Sequence, residues 1–152
     1  VTTGEPELSV QTPEFDDFDV DTAPERLDRD AVWQYLSTEA YWGRWRTREQ
    51  FEAQLAAAWR VVGVYRRSTG ELVGFARATS DGVAFAFLSD LFVLPAARGQ
   101  GLSKRIMTAM IEQGPGRGFR WMLHTADAHG LYRQFGFGAG SEKYMERPDQ
   151  HG

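Results

Sequence analysis

The side chains able to do chemistry in this 152-residue chain are of few kinds. There is no cysteine, so disulfides, thiolate metal sites and cysteine nucleophiles are excluded. The remaining candidates are acids, imidazoles and phenols: Asp81, Asp90, Asp127, His124, His129 and Tyr132. Their spacing makes no convincing metal-ligand cluster, and no metal is expected. The densest signal is Val93-Leu-Pro-Ala-Ala-Arg98-Gly99-Gln100-Gly101-Leu102-Ser103-Lys104. A strand-like lead and a proline are followed by a glycine-punctuated turn and an amphipathic run. A helix starting near Gly101 leaves the amides of Arg98 to Ser103 without intrahelical acceptors, at the positive end of the dipole. Gly99 and Gly101 let the backbone approach a ligand closely, and Arg98 and Lys104 add charge. These are the requirements of a pyrophosphate site, although a plain strand-to-helix turn would use the same glycines. The dinucleotide pattern G-x-G-x-x-G fails because Lys104 stands at its third glycine, and no Gly-Lys-Ser/Thr P-loop is present.

The other candidates each carry two readings. Asp90 interrupts an apolar strand, which suits either a general base or an outward-facing strand residue. Asp81 precedes Gly82 and reads as turn chemistry, while Asp127 reads as the N-cap of a short helix. His129 has the intrinsic titration range of a base and lies three residues before Tyr132; His124, on a strand, reads as structural. Tyr132 taken alone is a packing aromatic. Tyr41, Trp42 and Trp45, within "YWGRWR", either pack two helices together or wall a pocket whose rings hold a cation. The accompanying Arg44, Arg46 and Arg48 suit an acidic acceptor or a solvated face.

The elements that must position these residues follow from periodicity. "DDFDVDT" alternates and predicts a short edge strand. Ala31, Val32, Tyr35 and Leu36 mark one helical face, with Asp28 or Asp30 as N-cap. Thr47 and Gln50 form a capping box before a second helix bearing Phe51, Leu55, Ala58 and Trp59. The period then switches from 3.6 to 2. "WRVVGVYR", "ELVGFARATS" and "VAFAFLSDLFVL" read as an antiparallel meander, with turns at Ser68-Thr69-Gly70 and Asp81-Gly82. A helix from Gly101 to about Gln113, a strand "FRWMLHT", a short helix "DAHGLYRQF" and a closing strand or hairpin "GFGAGSEKYMER" complete an α/β chain with a mixed, mainly antiparallel sheet. Residues 1–15 read as a loose N-terminal tail and 16–152 as one domain. With 17 basic against 21 acidic residues, a general nucleic-acid binder is not expected. No run approaches a membrane span, and a soluble, cytoplasmic protein is expected.

Two blocks carry a family resemblance. Val93 to Ser103 resembles the acyl-CoA pyrophosphate loop of the GNAT superfamily of N-acetyltransferases, with Arg98, Gly101 and Ser103 at its key positions. Ala128-His129-Gly130-Leu131-Tyr132-Arg133-Gln134-Phe135-Gly136-Phe137 resembles that family's A-x-x-L-Y-x-x-x-G-F segment. Thr125 stands where the family often has asparagine. The resemblance spans roughly residues 28–140 and suggests a bacterial branch of unspecified acceptor. It implies a GNAT-like fold and direct transfer of acetyl from acetyl-CoA to a primary amine of a small molecule or peptide. It further implies that Arg98, Gly99, Gln100, Gly101, Leu102, Ser103 and Lys104 hold the pyrophosphate, and that Leu91, Phe92 and Val93 bond the pantetheine arm by their main chain. Tyr132 is implied as the acid that protonates the thiolate, with Asp90 or His129 as candidate bases, directly or through water. Tyr41, Trp42 and Trp45 are the implied acceptor wall. A homodimer is an open assembly. A catalytically weak acyl-CoA sensor is the alternative, since the base is not fixed by the sequence.

Overall fold

The computed structural model describes residues 16–150; the expected N-terminal tail lies outside them. Strands β1 (Phe18–Asp21), β2 (Arg60–Arg66), β3 (Leu72–Ser80), β4 (Phe85–Val93) and β5 (Arg120–Met122) form one sheet in sequential order. The first four are antiparallel neighbours, and β5 runs parallel to β4. The expected meander and mixed sheet are therefore what forms.

Helices α1 (Arg29–Thr38) and α2 (Arg48–Ala57) begin where the sequence places them. Asp28 caps α1 by accepting from the Ala31 amide at 3.1 Å. The Thr47 hydroxyl accepts from the Gln50 amide at 3.1 Å, and the Gln50 side chain accepts from the Thr47 amide at 2.8 Å, so both halves of the capping box form. Trp59, expected on α2, lies past its end and donates its amide to Ala78 O at the start of the sheet.

Strand alternation divides the core into two layers. Val61, Tyr65, Leu72, Phe75 and Phe92 pack against Val32, Leu36, Phe51 and Leu55 of α1 and α2. Val62, Val64, Ala76, Ala78 and Leu88 pack with α3 (Leu102–Met107) through Ile106 and Met107. Successive residues pointing to opposite faces make this possible. α3 continues as a π-helical turn, Thr108–Glu112, whose Ala109 carbonyl accepts from Arg60 Nη2 at 2.8 Å.

Two features shape the functional end. β4 carries an extra residue. Phe75 pairs with Phe92 and Arg77 with Ser89, so Asp90 and Leu91 together oppose Ala76. Moreover, β4 and β5 pair only from Phe85–Arg120 to Phe87–Met122, after which β4 runs on to Val93 without β5 beside it. The predicted closing strand does not form: residues 138–150 hold no strand. Gly136, Gly138 and Gly140 stand at its start, and glycine weakens a strand through entropy and a missing side chain.

Candidate active site

The separation of β4 from β5 opens a cleft of about 850 Å³. One side is lined by Phe87 to Val93, the other by Leu123 to Ala128 with Leu131 and Tyr132, and the segment Tyr41–Arg46 overhangs it. Arg98 and Ser103 line it from the turn after β4. The structure thus brings Leu91, Phe92, Val93, Arg98, Ser103, Asp90, Tyr132, Tyr41, Trp42 and Trp45 into one cavity.

The glycine turn has the shape its sequence suggests. Gly99 and Gly101 have φ of +81° and +75°, the left-handed region that costs other residues about 1–2 kcal/mol. A Cβ at either position would meet nothing within 4 Å, so the glycines serve backbone conformation and the space before them is open. Among the described residues no protein group accepts from the amides of Gly99 to Lys104. Consecutive unsatisfied N–H groups at the start of a helix fit a pyrophosphate. Arg98 braces this turn: its Nε donates to Val93 O at 2.9 Å and its Nη2 to the Tyr35 hydroxyl at 3.0 Å. Tyr35 in turn stacks on Phe92, ring centres 4.2 Å apart. Leu102 is buried in the core, while Gln100 and Lys104 are exposed and outside the cleft lining.

Tyr132 is buried, and its ring meets Phe137 edge-on at 5.9 Å. Burial raises its pKa above the ordinary phenol value, with Asp127 and the Tyr41 hydroxyl adding to the shift. A phenol so placed keeps its proton at neutral pH. Asp127 is not the N-cap expected for α4 (His129–Arg133); the Thr125 hydroxyl accepts from the Ala128 amide at 3.0 Å instead.

The two candidate bases lie in unlike settings. His129 is exposed and lies outside the cleft lining, at the first residue of α4, whereas Tyr132 on the same helix is buried and lines the cleft. Asp90 lines the cleft, and its buried carboxylate is engaged as a counterion. Arg46 donates to both oxygens at 2.7 and 2.9 Å, Arg77 Nε to one at 2.7 Å, and Trp42 Nε1 to the other at 3.0 Å. Burial alone would raise its pKa, but the two guanidiniums outweigh that and hold it below the ordinary carboxylate value. Sequence reasoning missed Arg77 in this role. Its signal was present: an arginine inside the otherwise apolar "LVGFARAT" of β3. His124 faces Phe87 edge-on and pairs with Glu146 at 3.0 Å. Among the described residues no group of acids and histidines is arranged to hold a metal ion, and no helix is long and apolar enough to cross a membrane.

Comparison with known proteins gives this geometry its context. The model of the acetyltransferase (GNAT) family matches residues 27–137. A candidate acetyltransferase of Gibberella zeae is 31% identical over 122 residues, covering 79% of this chain and 65% of its own length. The chloroplastic serotonin N-acetyltransferase 2 of Oryza sativa is 36% identical over 72 residues, 46% of this chain and 36% of its own. The chain thus spans less than two thirds of the length of either curated relative. Among solved structures, a GNAT-family protein of Xanthomonas campestris superposes with a TM-score of 0.81 at 33% identity, covering 88% of this chain and 94% of that one. A candidate acetyltransferase of Clostridium acetobutylicum, whose structure contains acetyl-CoA, has a TM-score of 0.62 at 12% identity, covering 86% and 96%. The last likeness is one of fold.

Proposed function

Because the chain belongs to the GNAT family of acetyltransferases, which use acetyl-CoA, we propose that it moves acetyl to a primary amine by direct transfer in the cleft between β4 and β5. The observation that carries this reading is that the turn with unsatisfied amides enters, through Arg98 and Ser103, the same cavity that a buried phenol, Tyr132, lines.

Bound acetyl-CoA supplies the activated acetyl group. The amides from Gly99 to Ser103 hold its pyrophosphate, and Arg98 keeps their turn in shape rather than serving as the main charge partner. Leu91, Phe92 and Val93 offer main-chain groups on the side of β4 that β5 leaves, the mode of an added strand. In the transfer the amine nitrogen bonds to the acetyl carbon and the carbon–sulfur bond breaks. Tyr132 gives its phenolic proton to the departing sulfur. The nitrogen, arriving as ammonium, sheds two protons: one restores Tyr132 and one ends in solvent. With Asp90 engaged by two arginines, water carries that proton away, past the exposed carboxylate of Asp127. Tyr41, Trp42 and Trp45 wall the acceptor side.

Thiol release from acetyl-CoA across an amine panel tests the proposal: amine-dependent release is expected, together with a rise in Tm on adding CoA. The engagement of Asp90 favours one second reading, a catalytically weak acyl-CoA sensor. That reading predicts the same Tm rise with no amine-dependent release. No Tm rise at all would reject both.

A further inference from the structure

The acceptor wall rests on a single buried carboxylate. Asp90, Arg46 and Arg77 are 7%, 6% and 8% exposed, and four hydrogen bonds from Arg46, Arg77 and Trp42 converge on the Asp90 oxygens. Asp90 is also the sole non-glycine residue with positive φ, +59°, among the described residues. Such a conformation persists only where its surroundings over-determine it, and here four donors do so. The donors come from two places, the Trp42–Arg46 segment and β3, while the acceptor sits on the β4 bulge. One carboxylate therefore ties three segments together at the level where β4 and β5 part.

This arrangement is poorly explained as a source of stability. Desolvating two arginines and an aspartate offsets most of what their attraction returns, and Arg46 Nε is buried without a partner. Fixed geometry is the better account. What is fixed is a wall of partly exposed rings: Tyr41 at 59%, Trp42 at 36% and Trp45 at 43%. Trp42 is held by its indole N–H, and Tyr41 meets it edge-on at 5.1 Å. The guanidiniums behind this wall are turned inward: Arg46 Nη1 reaches Gln54 Oε1 at 2.5 Å as well as Asp90. The exposed acids lining the same cleft are Asp127 and Asp149. An entering molecule thus meets aromatic faces and the Asp127 carboxylate, while the N–H groups of Arg46 and Arg77 point onto Asp90 and those of Arg98, at the cosubstrate end, onto Val93 O and the Tyr35 hydroxyl. Ring faces and carboxylates both favour a cation.

Building on the acetyltransferase reading, we infer that Asp90 is a positioning residue that locks this wall, and that the subsite so built takes a primary amine carried on an aromatic or apolar frame. Steady-state kinetics on the full chain test it with three kinds of acceptor: phenethylamine and tryptamine, the anionic amines glutamate and glucosamine 6-phosphate, and the polycation spermidine. The arylalkylamines are expected to show the highest kcat/KM. Trp42→Phe keeps a ring but removes the donor to Asp90. It should raise the amine KM about tenfold, the scale of one hydrogen bond to a charged group, and leave the acetyl-CoA KM unchanged. Asp90→Asn should act in the same direction, with the acid limb of the kcat profile staying in place. Loss of that limb would make Asp90 the base and overturn its positioning role. Unchanged amine KM in Trp42→Phe would overturn the lock, and a preference for anionic or polycationic amines would overturn the acceptor class. The last result leaves the acetyltransferase reading standing. Acetyl-CoA binding without acetylation of any of these amines would sink both.

Discussion

At the scale of single residues, Tyr132 and Gly101 make the sharpest claims. Tyr132→Phe removes the proton donor but keeps the ring against Phe137. It should lower kcat about 100-fold, the usual worth of a positioned acid, with acetyl-CoA affinity unchanged. Equal turnover would remove Tyr132 from the chemistry. Because burial raises the Tyr132 pKa, its proton is lost only above the ordinary phenol range; the alkaline fall in kcat should therefore lie above pH 10 in the wild type. Gly101→Ala meets no steric obstacle, so its effect isolates backbone strain at φ +75°. It should weaken acetyl-CoA binding, read as a smaller CoA-induced rise in Tm, and destabilise the protein by about 1 kcal/mol in urea. The glycines and Tyr132 were legible in the sequence because backbone freedom and motif spacing are local properties. The fate of Asp90 was not, since its partners lie 13, 44 and 48 residues away along the chain.

At the scale of elements, the capping signals could be read directly. Asp28 caps α1 and Thr47 with Gln50 caps α2, where the spacing places them. Thr47→Ala removes one half of a box that begins immediately after Arg46, and should cost about 1 kcal/mol in chemical denaturation. An unchanged urea midpoint would show that α2 is held by Phe51 and Leu55 alone. Two elements departed from expectation for a shared reason. The strand "FRWMLHT" shortens to Arg120–Met122, and the segment after Gly136 makes no strand. A strand needs a neighbour as much as a pattern, and β5 has β4 beside it for three residue pairs only. The π turn at Thr108–Glu112 likewise leaves no mark in the hydrophobic period, because Ala109, Met110 and Ile111 are all buried.

At the scale of the whole molecule, ion pairs clasp segments distant in sequence. Asp16 binds Arg105 at 2.9 and 3.0 Å, and Asp90 joins β4 to β3 and to the acceptor loop. The Arg105 hydrogen bond lowers the Asp16 pKa, and Asp90 is lowered despite burial. Groups depressed in the folded state contribute stability that is fully present above their unfolded value near pH 4, and that is lost as pH falls through the folded value. Tm should therefore hold level from pH 7 to about 5 and fall below about 4, with the fall reduced in Asp16→Asn. The parting of β4 and β5 has a further consequence for the protein without its cosubstrate. Past Phe87 the outward main chain of β4 lacks a ladder on that side, so the sheet is one strand short where it matters. Amide hydrogen exchange should show this directly: between Leu88 and Val93, the amides turned toward the gap exchange fast and those bonded to β3 exchange slowly. Adding CoA should slow the fast set alone, since the ligand then stands in for the absent strand.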